Sequence, residues 1–202
     1  MLPRAEFIRP LVDARVPPKA DRRKGAYSEA ASSAYAGQAA DRVNMNSKVY
    51  IASDHGGFEY KEELKKYLKN KGYEVEDMGA HELNPKDDYT DFVFPLALRV
   101  SKESALRQAQ GKEVFGIVLG RSGNGEQIAA NKVKGIRAVI CLNETMAKKA
   151  REHNDANVLS LGADYIDLPT AKKVVDVFLK TPFSEAERHS RRLGKISKYE
   201  ST

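Results

Sequence analysis

Three glycines and a glutamate stand together in the stretch LGRSGNGEQIAANK, residues 119–132. The glycines fall at 120, 123 and 125, and Glu126 follows where an apolar run gives way to a helix-like one. Glycine-rich turns at such a point expose backbone N–H groups and so receive anions. The spacing G-x-x-G-x-G fits neither the dinucleotide fingerprint nor the phosphate loop that ends in Gly-Lys-Ser/Thr. A carboxylate beside an oxyanion-binding loop is the arrangement for abstracting a proton next to a carbonyl. A purely structural role fits Glu126 equally well. With Asn124 as the helix cap and Gln127 at the third helical position, a glutamate at the second complements the helix dipole. Ser122 has no reciprocal capping partner, because Gly occupies 125. On the residues alone the two readings of Glu126 stand level.

Other chemistry-bearing residues fall at element boundaries. SDHGG places Asp54 and His55 at the end of a strand-like run, with two glycines to turn the chain. EHN places His153 and Asn154 at the end of a helical run. In ERHSRRLGK, Arg188 and Arg192 are four residues apart and share a helix face, where two guanidiniums can clamp a phosphate. Read alone, that cluster is better explained as a basic helix end balancing its own dipole. It is too short, and too poor in aromatic residues, for a nucleic-acid surface. The remaining histidines are His81, expected on the surface of a polar loop, and His189, beside the arginines.

The elements that must position these residues alternate. Strands are expected at 48–53, at YEVEDMG, at 114–120, at 136–141 and at 157–162. Helices are expected at 57–72, at DFVFPLALRVSKESALRQA (with Pro95 in its first turns), after the glycine loop, after Asn143 as cap, at LPTAKKVVDVFLKT, and finally after Ser184 as cap. Five strands alternating with helices predict an α/β fold, a doubly wound and mostly parallel sheet. Ligands of such sheets bind at the carboxyl ends of the strands, where strand order reverses.

The bulk of the chain narrows the function classes. Its 202 residues have room for one good core, or for one core plus a tail. Residues 1–46 lack sustained periodicity and read as a disordered or loosely helical tail ahead of a domain at 47–202, with Met45 a candidate start. The net charge of +6 is spread thinly: 1–46 carry 8 Lys/Arg against 5 Asp/Glu, and the rest 26 against 23. That pattern is a mixed-charge surface rather than a nucleic-acid face. The single cysteine, Cys141, excludes an intrachain disulfide and a cysteine-rich zinc site, and suits a reducing cytoplasm. No apolar run is long enough to span a membrane.

The motifs SDHGG, GIVLGRSGNGEQIAANKVKGIRAVIC, AREHNDANVLSLGA and RHSRR together resemble, in order and spacing, the type B ribose-5-phosphate isomerases, a family that also holds galactose-6-phosphate isomerase subunits. The resemblance covers roughly residues 47–200. It implies a Rossmann-like three-layer sandwich and the isomerisation of ribose 5-phosphate and ribulose 5-phosphate through a cis-enediolate, with no cofactor and no metal. By the same resemblance Glu126 is the base, His153 opens the sugar ring, and Ser122 with the backbone of Gly123, Asn124 and Gly125 stabilises the enediolate. Asp54 and Asn154 hold sugar oxygens. His55, Arg188 and Arg192 contact the phosphate, with His189 a weaker candidate. A homodimer or dimer of dimers with shared sites is implied. Another branch carries cysteine at the position of Gly120, so Cys141 is expected in the core. Two departures stand out. Asp164 replaces an arginine that helps bind phosphate in many relatives, and Arg121 replaces a loop glycine. Arg121 is expected to take over part of that binding. The alternatives are another sugar phosphate, tetrose or hexose, and a catalytically silent sugar-phosphate-binding protein.

Overall fold

A computed structural model describes residues 47–108 and 112–202. The expected tail, 1–46, and the start at Met45 lie outside the described residues. The order of elements is β1 (Lys48–Ser53), α1 (Phe58–Asn70), β2 (Glu74–Asp77), α2 (Tyr89–Gln108), β3 (Val114–Gly120), α3 (Asn124–Ala130), β4 (Ala138–Ile140), α4 (Glu144–Asn154), β5 (Val158–Gly162), α5 (Leu168–Lys180) and α6 (Glu187–Tyr199).

The five strands form one sheet in the order β2-β1-β3-β5-β4, with every neighbouring pair parallel. The sheet is therefore wholly parallel. β1, β3 and β5 are buried along their whole length, because helices cover both faces and each face needs apolar side chains. The period-2 alternation sorts them. Val49, Ile51, Ile117 and Leu159 pack with α1, α4 and α5, while Tyr50, Ala52 and Val118 pack with α2 and α3. These are the three layers expected. Cys141 is 1 % exposed and belongs to the first of these cores, where burial pushes its thiol up to about 12.

A buried cation ties α1 to the end of β2. Lys61 of α1 is fully buried, and its Nζ donates to Asp77 at 2.8 and 2.9 Å and to the carbonyl of Ala80 at 2.6 Å. Burial alone would raise the Asp77 carboxyl, but Lys61 and Lys65 hold it down at about 2. The chain leaving β2 is thereby anchored beside the end of β1.

Three local expectations are corrected. α2 begins at Tyr89 rather than at Asp91, and Pro95 still falls within its first two turns, as expected. α3 begins at Asn124 with Gly123 as its cap, so Asn124 is not the cap and Glu126 is the third helical residue. α6 begins at Glu187 after Ala186, because Ser184 is occupied with His189 (Oγ to Nδ1, 2.8 Å) and supplies no helix cap. Asn143 does cap α4, accepting from the Met146 N–H at 2.9 Å.

Candidate active site

Strand order reverses between β1 and β3, and the chain leaving both carries the candidate chemistry. After β1, Asp54 is 9 % exposed and its Oδ1 accepts from the Gly56 and Gly57 N–H groups at 2.9 and 3.3 Å. Next to it, the His55 Nδ1 lies 2.6 Å from Asp87 Oδ1. That bond raises the imidazole above its ordinary value; burial opposes it, Asp54 adds to it, and Arg121 works against it.

After β3 the chain makes a tight loop. Gly123 has φ +76°, a left-handed conformation that favours glycine. Its carbonyl accepts from Ser160 Oγ of β5 at 2.6 Å, which fixes the loop from below. The Ser122 Oγ accepts from the Asn124 N–H at 3.2 Å, leaving its own hydroxyl hydrogen for another acceptor. Tyr89, at the start of α2, lies against Gly125.

Glu126 is 4 % exposed. Its carboxyl lies directly against the Cα of Gly120, in the space that a side chain at 120 would take. Burial raises its pKa, its own backbone N–H lowers it, and the charge of Asp54 raises it further. A merely dipole-complementing glutamate would point to water. This one is withdrawn from water beside the glycine loop, surroundings that suit a general base.

His55 and Arg121 line a cleft of about 430 Å³ together with Glu59, Tyr60 and Asp164. Arg121 is largely exposed, and its guanidinium is 3.7 Å from the Asp164 carboxylate. The two departures therefore face each other across the mouth of one cleft. Among the described residues, the donor atoms of Asp54, His55 and Asp87 are close enough to share an ion, all within 4.8 Å. Asp87 Oδ1 binds the His55 backbone N–H and Nδ1, and Asp54 Oδ1 binds the Gly56 N–H, whereas Asp87 Oδ2 has no hydrogen-bond partner.

The remaining candidates sit elsewhere. His153 and Asn154 close α4, which leads into the amino end of β5. Arg151, two residues before His153, binds Glu113 just ahead of β3, again at the amino edge. β5 rises ~3.3 Å per residue, so on the order of 15 Å separates this group from Ser122 and Glu126 within one chain. Here His153 stacks on His189 with ring centroids 4.4 Å apart. His189 is 4 % exposed and accepts at Nε2 from Arg188 Nε at 3.1 Å; burial, then the charges of His153, Arg188 and Arg192, lower its pKa. It packs α6 onto α4 and offers no free nitrogen to a ligand. Arg188 and Arg192 are exposed, as is His81.

Sequence reasoning missed Asp87 and Tyr89. Both come from the polar run NPKDDYTDF between β2 and α2, where charged and turn-forming residues are ordinary. Only the fold brings them to the ends of β1 and β3.

The model of the family described as Ribose/Galactose Isomerase matches residues 49–196. The chain belongs to that family. It is 40% identical over 155 residues to a ribose-5-phosphate isomerase B of Mycolicibacterium paratuberculosis, covering 77% of this chain and 92% of the relative. It is 42% identical over 158 residues to a probable ribose-5-phosphate isomerase B of Mycoplasma pneumoniae, covering 78% and 98%. Among solved structures, ribose-5-phosphate isomerase B of Mycoplasma genitalium with bound ribulose 5-phosphate aligns with a TM-score of 0.72 at 39% identity, covering 78% of this chain and 98% of that one. The Clostridium thermocellum ribose-5-phosphate isomerase B aligns at 0.68 with 45% identity, covering 76% and 97%. The family members share the α/β sandwich expected here, and the family match falls within the described residues.

Proposed function

We infer that this protein is an aldose–ketose isomerase that interconverts ribose 5-phosphate and ribulose 5-phosphate. The observation that carries this reading is the Glu126 carboxyl, buried against Gly120 at the strand-order switch point, in a chain of the ribose/galactose isomerase family. Glu126 removes the proton from C2 of the open-chain aldose, and the electron pair moves onto O1 to give the cis-enediolate. Ser122 and the N–H groups of Gly123 to Gly125 receive the developing negative charge. The hydroxyl proton of O2 passes to O1, and the same carboxyl returns the carbon-bound proton to C1, which leaves the carbonyl at C2 and a hydroxyl at C1. Asp54 orients the sugar hydroxyls, and His55 and Arg121 face the phosphate.

His153, Asn154, Arg188 and Arg192 lie at the other edge of the sheet. A role for them in the same site requires a second copy that turns this edge toward Glu126. We therefore read the functional unit as a homodimer, or a dimer of dimers, with His153 opening the furanose ring for its partner's Glu126. Two-fold symmetry then makes both sites equivalent. Among the described residues no helix is long and apolar enough to cross a membrane. The single buried cysteine suits the cytoplasm, which is the location proposed. A coupled assay over a panel of aldose phosphates tests the function. Turnover is expected on the five-carbon substrate, and preference for a tetrose or hexose phosphate, or silence on all, would overturn it.

A further inference from the structure

We propose that Asp87 is a positioning residue for substrate phosphate binding: it takes the Nδ1–H of His55 and so presents Nε2–H to the cleft. The proposal rests on the reading of His55 as a phosphate contact. Asp87 stands 32 residues from His55 in sequence, yet one of its oxygens, Oδ1, accepts from both the His55 backbone N–H at 3.0 Å and the ring at 2.6 Å. Two bonds to one oxygen fix both the backbone and the ring of His55, which leaves the imidazole little rotational freedom. The Asp87 side chain is only 8 % exposed, and Oδ2 is buried with no hydrogen-bond partner.

A buried carboxylate with an unsatisfied oxygen is costly unless a positive charge stands beside it. His55 is that partner. With Nδ1 committed to Asp87, Nε2 is the nitrogen left for the cleft it lines, where it donates in the imidazolium form. The other charged groups around that cleft are Asp54 from the same turn, Glu59 of α1, Arg121 after β3 and Asp164 after β5. Asp54 reinforces the imidazolium and Arg121 opposes it, but the Asp87 bond is the largest influence. The sign follows directly. Because Asp87 raises the imidazole, phosphate binding through His55 is complete at low pH and is lost as pH rises through that raised value.

Asp87→Asn tests this, since an amide oxygen still accepts from the ring but carries no charge. NMR of the full-length protein follows the four imidazoles, with His55 assigned from a His55→Ala variant. The His55 midpoint should fall toward the ordinary imidazole value in Asp87→Asn. Between the two midpoints, KM for ribose 5-phosphate should rise roughly tenfold with kcat within about twofold, and the proteins should converge at lower pH. The phosphate's own second ionisation, near ~6, acts on both proteins alike and cancels in the comparison. An unchanged His55 midpoint would overturn the proposal at Asp87 itself. A lowered midpoint with unchanged KM, in Asp87→Asn and in His55→Ala alike, would instead remove His55 from phosphate binding. A KM increase independent of pH would reduce Asp87 to a structural residue.

Discussion

The Glu126 carboxyl and Gly120 occupy complementary space: a Cβ on residue 120 would overlap the Glu126 carboxyl oxygen. A base at 126 and any side chain at 120 therefore exclude each other in this geometry. That gives a physical reason why a chain with glycine at 120 can place its base at 126.

Gly120→Ala should consequently displace the carboxyl without disturbing the strand, because the nearest atoms to the added methyl all belong to the Glu126 side chain. The expected outcome is a loss of kcat of about 100-fold or more, with a thermal midpoint close to wild type. Retained activity would mean that the carboxyl works from another position.

As the proposed base, Glu126 would act only when ionised, and burial followed by the Asp54 charge raises its pKa. Activity is therefore full above that raised value and is lost as pH falls through it. Its acid limb in kcat/KM should lie above the ordinary glutamate value of ~4.3. Asp54→Asn removes one of the raising charges, so the limb should move to lower pH even though the variant binds sugar less well. A limb that stays in place would separate the two carboxyls electrostatically.

Arg121 is not a free cation, because Asp164 stands 3.7 Å from it and both are exposed. An exposed pair of this kind contributes only ~0–1 kcal/mol, so a phosphate can displace the carboxylate. Arg121→Ala should raise KM by roughly three- to tenfold. Asp164→Asn should lower KM in the parent protein and do nothing in the Arg121→Ala background. An Asp164 effect that persists without Arg121 would show that the two do not act as a pair.

If each site is built from two subunits, Glu126→Gln and His153→Ala proteins should be nearly inactive alone and recover activity on subunit exchange. A mixed dimer collects both lesions in one site and neither in the other. Random exchange makes about half the dimers mixed, so about a quarter of wild-type activity should return. Exchange without recovery would require Glu126 and His153 to act within one chain.

The legibility of the fold followed burial. β3 and β5 read directly as strands because helices on both faces demand continuous apolar runs, and VFGIVLG shows one. The α6 start was misplaced because Ser184 has the chemistry of a cap but is engaged by His189, a contact made only when α6 folds against α4. Glu126 was readable as a candidate from glycine spacing, whereas its burial depended on Gly120 lending space. Asp87 carried no signal at all, since its partner lies 32 residues away and the run around it is ordinary loop. The separation of His153 from Glu126 was implicit in the topology: a helix that returns from β4 to β5 must end at the amino edge of the sheet.

The most direct measurement of the central claim is the turnover of Glu126→Gln on ribose 5-phosphate. The amide keeps the shape but cannot take the C2 proton, so kcat should fall by roughly 10³–10⁴ with KM within about twofold. The same variant should be more stable than wild type near neutral pH, since an acid with a raised pKa loses stability for the fold as it ionises, and the difference should close on acidification. Near-normal kcat in Glu126→Gln would contradict the account, leaving Glu126 as a buried helix residue and the proton transfer to some other group.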